Sequence, residues 1–160
     1  MLSIQVSDIK DFMSHLLSKD TFDHFYFIEA SIKMGVSYQI QGHINEGFYD
    51  TSVEQTLNRE FCYWKEIRGR IFDIIKGKRL PLSCKIVFGL PSQSIAYLIA
   101  HSNSSFREED IEGIYMNILY DPTSLLITTG ISYKNFSLDK SLEYAFDEYL
   151  AKFLKEKAGI

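Results

Sequence analysis

The sequence predicts an α+β domain in two layers, a sheet covered on one side by helices. Three observations carry this. Apolar residues alternate with period two in several short runs and recur with helical spacing in others. The order strand, helix, strand, strand, helix occurs twice, with the break at Pro81. And 160 residues with 46% hydrophobic and 24% charged side chains supply enough apolar surface for a self-sufficient core.

Each element has its own signature. Leu2–Val6 is a short apolar run suited to a strand. Ser7 offers an N-cap and Asp8 a first-turn charge. Ile9, Phe12, Met13, Leu16 and Leu17 then give the apolar stripe of a helix buried on one face. From Phe25 the period becomes two. Ile28, Ala30, Ile32 and Met34 fall on one face, and Glu29, Ser31 and Lys33 on the other. After Gly35, Val36, Tyr38, Ile40, Gly42 and Ile44 alternate with polar residues, which completes a hairpin. Thr51 or Ser52 can cap a short helical stretch. A longer helix carries Phe61, Trp64, Ile67, Ile71, Ile74 and Ile75 on one side and stops at Gly77, before Pro81.

The second half repeats the order. Leu82–Phe88 reads as a strand and Pro91 as the first position of a helix bearing Ile95, Leu98 and Ile99. Ile114, Met116, Ile118 and Tyr120 alternate up to the turn at Asp121-Pro122, and Leu125, Ile127, Thr129 and Ile131 alternate after it. Asp139 opens a last helix with Leu142, Phe146, Leu150 and Leu154 on one face. The chain is therefore read as one domain, 1–160, made of two tandem β-α-β-β-α half-repeats, 1–80 and 81–160, in a pseudo-twofold relation within one six-stranded sheet.

Composition narrows the function. The net charge is -4. Such a chain is not built overall to wrap nucleic acid or coat an anionic membrane, although a local basic patch could do either. No apolar run approaches the length of a membrane span, and no secretory signal precedes the first strand. No membrane partner is expected. Two cysteines are too few for a disulfide framework, so a cytoplasmic chain with reduced thiols is expected.

Motifs for chemistry are sparse. The four histidines show no ligand spacing, and Cys62 and Cys84 stand alone, so no metal site and no cofactor are expected. Asp11 and His15 lie one helical turn apart near Asp8, the spacing of half a metal site, but a solvated polar helix face is the preferred reading. No Gly-x-Ser-x-Gly elbow, dinucleotide fingerprint or phosphate loop occurs. No catalytic residue is assigned, and the enzyme question is left open on the side of no activity.

Two constellations remain. Lys65, Arg68, Arg70, Lys76, Lys78 and Arg79 put six bases against two acids, Glu66 and Asp73, within fifteen residues. This is a possible contact for nucleic acid or another phosphate-rich partner, and also what a solvated helix face looks like. The second is aromatic. Phe25 and Phe27 share strand parity with Glu29 rather than with Ile28 and Ala30. That conflict marks them as contacts to another element or another chain, a possible interface.

A further likeness rests on Phe12-Met13, Leu16-Leu17, Thr21-Phe22-Asp23, Phe27, Glu29-Ala30, Gly42-His43-Ile44-Asn45, Phe48-Tyr49, Trp64, Ile67-Arg68 and Phe136-Ser137-Leu138-Asp139. With these residues the chain resembles an uncharacterised family of short bacterial proteins. The resemblance covers nearly the whole chain and implies a stand-alone domain with no assigned activity. The expected function is a non-catalytic protein-interaction domain, with a protein partner or a homodimer. The alternative is a nucleic-acid or phosphate-binding module on the basic 65–79 segment.

Overall fold

The computed structural model describes residues 1–49 and 58–160. The capping role expected of Thr51 or Ser52 falls outside them. Along the chain run β1 (Ser3–Gln5), α1 (Ile9–Leu17), β2 (Tyr26–Lys33), β3 (Ser37–Gln41), α2 (Trp64–Ile75), β4 (Ser83–Gly89), α3 (Ser92–Ala100), β5 (Ile111–Asp121), β6 (Ser124–Tyr133) and α4 (Ser141–Ala158). The six strands form one antiparallel sheet in the order β1-β6-β5-β4-β2-β3.

The α+β class and the six-stranded sheet are as the periodicity predicts. The strand order does not reproduce the expected twofold relation. Exchanging β1, β2 and β3 for β4, β5 and β6 gives β4-β3-β2-β1-β5-β6, which is not the observed order in either direction. The reason is β1. It leaves its own half and pairs with β6 at the far edge, while β4 lies between β2 and β5.

The sheet's apolar face meets the helices. Phe27, Ala30 and Ile32 of β2 lie beside Phe88, Ile86 and Cys84 of β4, which lie beside Met116, Ile118 and Tyr120 of β5. Phe12 and Leu16 of α1, Trp64 and Ile71 of α2, Leu98 of α3, and Leu142, Phe146, Leu150 and Leu154 of α4 join them in one buried cluster. The other face is mixed, with Val87, Leu119 and Leu126 among polar residues. There Asn117 donates to the Thr128 hydroxyl at 3.2 Å and the Ser31 hydroxyl to the Gln39 side-chain Oε1 at 3.1 Å.

Trp64 ties the layers together. It is fully buried, edge-on to Phe88 with ring centroids 5.0 Å apart, and its Nε1–H donates to the Leu16 carbonyl at 2.8 Å. An indole buried without that acceptor would leave a donor unpaired. Thr129, another buried polar group, is also satisfied: it accepts from the Leu2 amide and donates to Asp147.

Several local expectations shift by a residue. Asp8, not Ser7, caps α1 by accepting from the Asp11 amide at 3.0 Å. Phe61 lies outside α2, in an extended stretch that bridges to His43. Asp139 accepts from the Ser141 amide at the start of α4.

A β-bulge resolves the aromatic conflict in β2. Register shifts between Phe27 and Glu29, so one extra residue separates them from strict alternation. Phe27 therefore turns inward with Ala30 and Ile32, and Glu29 outward. A second shift lies between Ile111 and Gly113 of β5. The chain around the first bulge is crowded. Gly42 donates to Ile28, Cys62 donates to Gly42, and Phe27 donates to Cys62. Residues 60–63 thus enter between the start of β2 and the continuation of β3.

Candidate functional site

Phe25 and Phe27 are not surface contacts. They are 6% and 0% exposed. Phe25 packs on Phe22, Phe88 and Phe153, and Phe27 on Trp64. Their partners are other elements of the same chain, so the interface role expected of them is withdrawn.

The basic segment divides. Arg68 turns inward: Nε and a terminal nitrogen donate to the two Asp23 oxygens at 2.9 and 3.2 Å, and a third nitrogen reaches the Leu17 carbonyl. This bidentate grip holds α2 against the end of α1. Lys65, Arg70, Lys76, Lys78 and Arg79 are exposed. Lys76 lies 3.0 Å from Asp73 in a solvated pair.

A cleft of about 180 Å³ opens at one end of the sheet, lined among others by Tyr26, Arg59, Glu60, Ser92, Glu112 and Tyr115. It draws on both halves of the chain. Its one arginine is already paired. Arg59 makes a two-point bond to Glu66 at 2.6 and 2.8 Å and lies 4.6 Å from the Tyr63 ring centre. Glu66 also accepts from the Tyr63 amide, which caps α2. Glu112 accepts from the Ser132 hydroxyl at 2.8 Å. The bond to Arg59 holds the Glu66 carboxyl below the usual range. Burial raises both Tyr26 and Tyr115, helped by Tyr63 in one case and by Glu112 and Glu60 in the other. These tyrosines stay protonated at neutral pH.

The thiols are quiet. Burial pushes Cys62 up to about 11 and Cys84 up to about 12, away from the thiolate form a nucleophile needs. His15 shares a 2.8 Å hydrogen bond with Thr21 and lies 3.8 Å from Asp11. Among the described residues no group of three or more His, Cys, Asp or Glu could hold a metal ion. No described helix is long and apolar enough to cross a membrane.

Two surface features were not singled out in the sequence. The first is the outer edge of β3. Gly42 donates to Ile28 and Met34 to Val36, so Ala30/Ile40 and Ile32/Tyr38 are the bonded pairs of the ladder between β2 and β3. By alternation, the backbone N–H and C=O of Ser37, Gln39 and Gln41 point outward. No strand among the described residues pairs with them. From Met34 to Asn45 there is no charged side chain.

The second lies at the opposite end of the sheet from the cleft, where the β2–β3 turn adjoins the α2–β4 loop. The Leu82 amide donates to the Lys33 carbonyl at 2.8 Å. Val36, Leu80 and Leu82 are 65%, 67% and 68% exposed. The signal for this corner was present but divided between segments forty residues apart.

A family model described as "Family of unknown function (DUF5721)" matches residues 15–159. The chain belongs to this family. The match takes in all of the sheet except β1, together with the cleft, the β3 edge and the exposed corner. No curated protein and no solved structure matches the chain.

Proposed function

We propose that this member of the family is a non-catalytic protein-interaction domain that pairs with a second copy of itself through the outer edge of β3. The observation that carries the reading is that edge, with outward backbone groups at Ser37, Gln39 and Gln41 and no charge from Met34 to Asn45. Edge strands that avoid pairing usually carry lysine, proline or a bulge, and Ser37–Gln41 has none of these.

The strand is also complementary to itself. In a twofold antiparallel pairing centred on Gln39, Ser37 faces the partner's Gln41 and Gln39 the partner's Gln39. All the outward amides and carbonyls are then bonded. On the helical face, Tyr38 meets the partner's Ile40, and both are incompletely covered in one chain. An aromatic opposite a β-branched residue is a favourable cross-strand pair. A charge at the axis would meet its own like, and none is present. The raised thiols and the pairing of Arg59 with Glu66 support the non-catalytic part.

Light scattering after size exclusion tests it. A dimer is expected, and Gln39→Lys, which puts two ammonium groups at the axis, is expected to yield a monomer of unchanged circular dichroism. A wild-type monomer at every concentration overturns the self-pairing. The alternative, a nucleic-acid or phosphate-binding module on residues 65–79, keeps five exposed cations but loses Arg68 to Asp23.

A further inference from the structure

The acids of this chain are unevenly placed. From Ala30 to Asn45 and from Ile74 to Phe106 there is no Asp or Glu. The fold brings the cations of those stretches together. Lys33 ends β2, Lys85 lies in β4 on the same face, and Lys76, Lys78 and Arg79 precede Leu80 in the α2–β4 loop. Two carboxylates border the corner and offset part of its charge. Asp73 pairs with Lys76, and the Asp121 oxygens accept four hydrogen bonds from Thr123 and Ser124.

Within this cationic corner the apolar side chains are turned the wrong way round for a protein surface. Pro81 is buried, while Leu80 and Leu82 on either side of it are exposed. The buried proline fixes the loop and drives the two leucines outward. Gly77, at φ +144°, lets the chain leave α2 into this loop, a conformation a side chain would strain. Val36 stands at the tip of the neighbouring turn. None of the three lines any of the four clefts described in the molecule. They project outward beside a shallow cleft that Lys33, Ser83, Lys85 and Asp121 line.

We infer that this corner docks on an anionic lipid surface. Val36, Leu80 and Leu82 enter the headgroup boundary, and Lys33, Lys76, Lys78, Arg79 and Lys85 lie over lipid phosphates. Convex apolar tips suit a fluid interface that yields around them, and flanking cations supply the attraction. The expectation against a membrane partner rested on net charge and on the lack of a spanning apolar run. The charge sum hides a local excess of cations, five against the two carboxylates Asp73 and Asp121. The contact is peripheral and uses no spanning helix, and it is independent of the pairing proposed for β3.

Co-sedimentation with vesicles tests the inference. One set is phosphatidylcholine alone, the other phosphatidylcholine mixed with phosphatidylglycerol. Binding is expected to the mixed vesicles only, and to fall steeply as salt is raised. Lys78→Glu with Arg79→Glu is expected to weaken it by about tenfold or more. Leu80→Ser with Leu82→Ser leaves every charge in place and is expected to weaken it by a similar factor of about ten. Circular dichroism checks that both variants fold. No binding to the mixed vesicles, or equal binding to both sets, overturns the inference. So does a leucine variant that binds as well as wild type while the protein is retained equally on duplex DNA, which would make the corner a general polyanion surface. A leucine variant that turns a dimer into a monomer also overturns it, because a second copy would then cover the corner.

Discussion

Arg68 and Asp23 hold each other by two hydrogen bonds, at 2.9 and 3.2 Å, across forty-five residues of chain. Asp23 is buried and Arg68 partly so. Removing the guanidinium leaves a carboxylate without its cation in a place water hardly reaches. Arg68→Ala is expected to lower stability by about 2 kcal/mol, the scale of hydrogen bonds to charged groups. Urea unfolding reads this. The same variant is expected to leave heparin retention unchanged, while Lys78→Glu with Arg79→Glu reduces it. Retention lost with Arg68→Ala would return that residue to a binding role.

Trp64 is the second anchor. Trp64→Phe removes the bond to the Leu16 carbonyl and leaves a space beside Phe27 and Phe88. A loss of about 2 kcal/mol is expected from the unpaired carbonyl and the void. Because Trp64 is the only tryptophan in the chain, wild-type emission is expected to be blue-shifted and shielded from acrylamide. Red-shifted, quenchable emission from the folded protein would contradict its burial.

The fold was legible where period and burial agree. Ile86, Phe88, Ile118, Ile127 and Leu154 stand inward as their spacing implies. Phe27 was misread because a bulge inverts parity without a mark in the sequence: Phe27-Ile28-Glu29 reads as plain alternation. The place of β1 was also hidden, because pairing with β6 joins residues more than a hundred positions apart. Of the basic segment, only a structure could separate Arg68 from its neighbours, since its acceptor lies in the loop after α1. The exposed corner combines Val36 with Leu80 and Leu82, and each alone is an unremarkable apolar residue near a turn.

Glycine substitutions separate rigid from yielding surroundings. A Cβ on Gly42 would overlap the Phe27 carbonyl, which is fixed backbone at the bulge. A Cβ on Gly113 would meet the Tyr115 hydroxyl, the far end of a side chain that can swing aside. Gly42→Ala is expected to cost about 3 kcal/mol or more, in the range of severe overpacking. Gly113→Ala is expected to cost less than about 1 kcal/mol by the same reasoning. Thermal unfolding of the pair checks the order, and a reversed order contradicts the packing around the bulge.

Stability is expected to fall on both sides of neutrality. Burial raises Cys62 to about 11, and Cys84 and Tyr133 to about 12, above their ordinary values of 9.0, 9.0 and 10.0. Above those ordinary values the unfolded chain loses protons that the folded chain keeps. Their contribution is complete below about pH 9 and is lost progressively as pH rises toward 12. Glu66 acts in the opposite sense. Its carboxyl is held low by Arg59, so its contribution is present above its ordinary value of 4.5 and is lost as pH falls below it. Urea midpoints across pH check both limbs. Cys84→Val is expected to flatten the alkaline one, and an unchanged alkaline slope would contradict the burial of that thiol.

Amide hydrogen exchange of β3, followed as a function of protein concentration, is the direct measurement of self-pairing. In a single chain, Tyr38 and Ile40 donate to β2, while Ser37, Gln39 and Gln41 face outward. Pairing through the edge predicts that the outward three become protected as concentration rises, and that Gln39→Lys abolishes the gain. Fast exchange at Ser37, Gln39 and Gln41 at every concentration, with Tyr38 and Ile40 protected throughout, would contradict it.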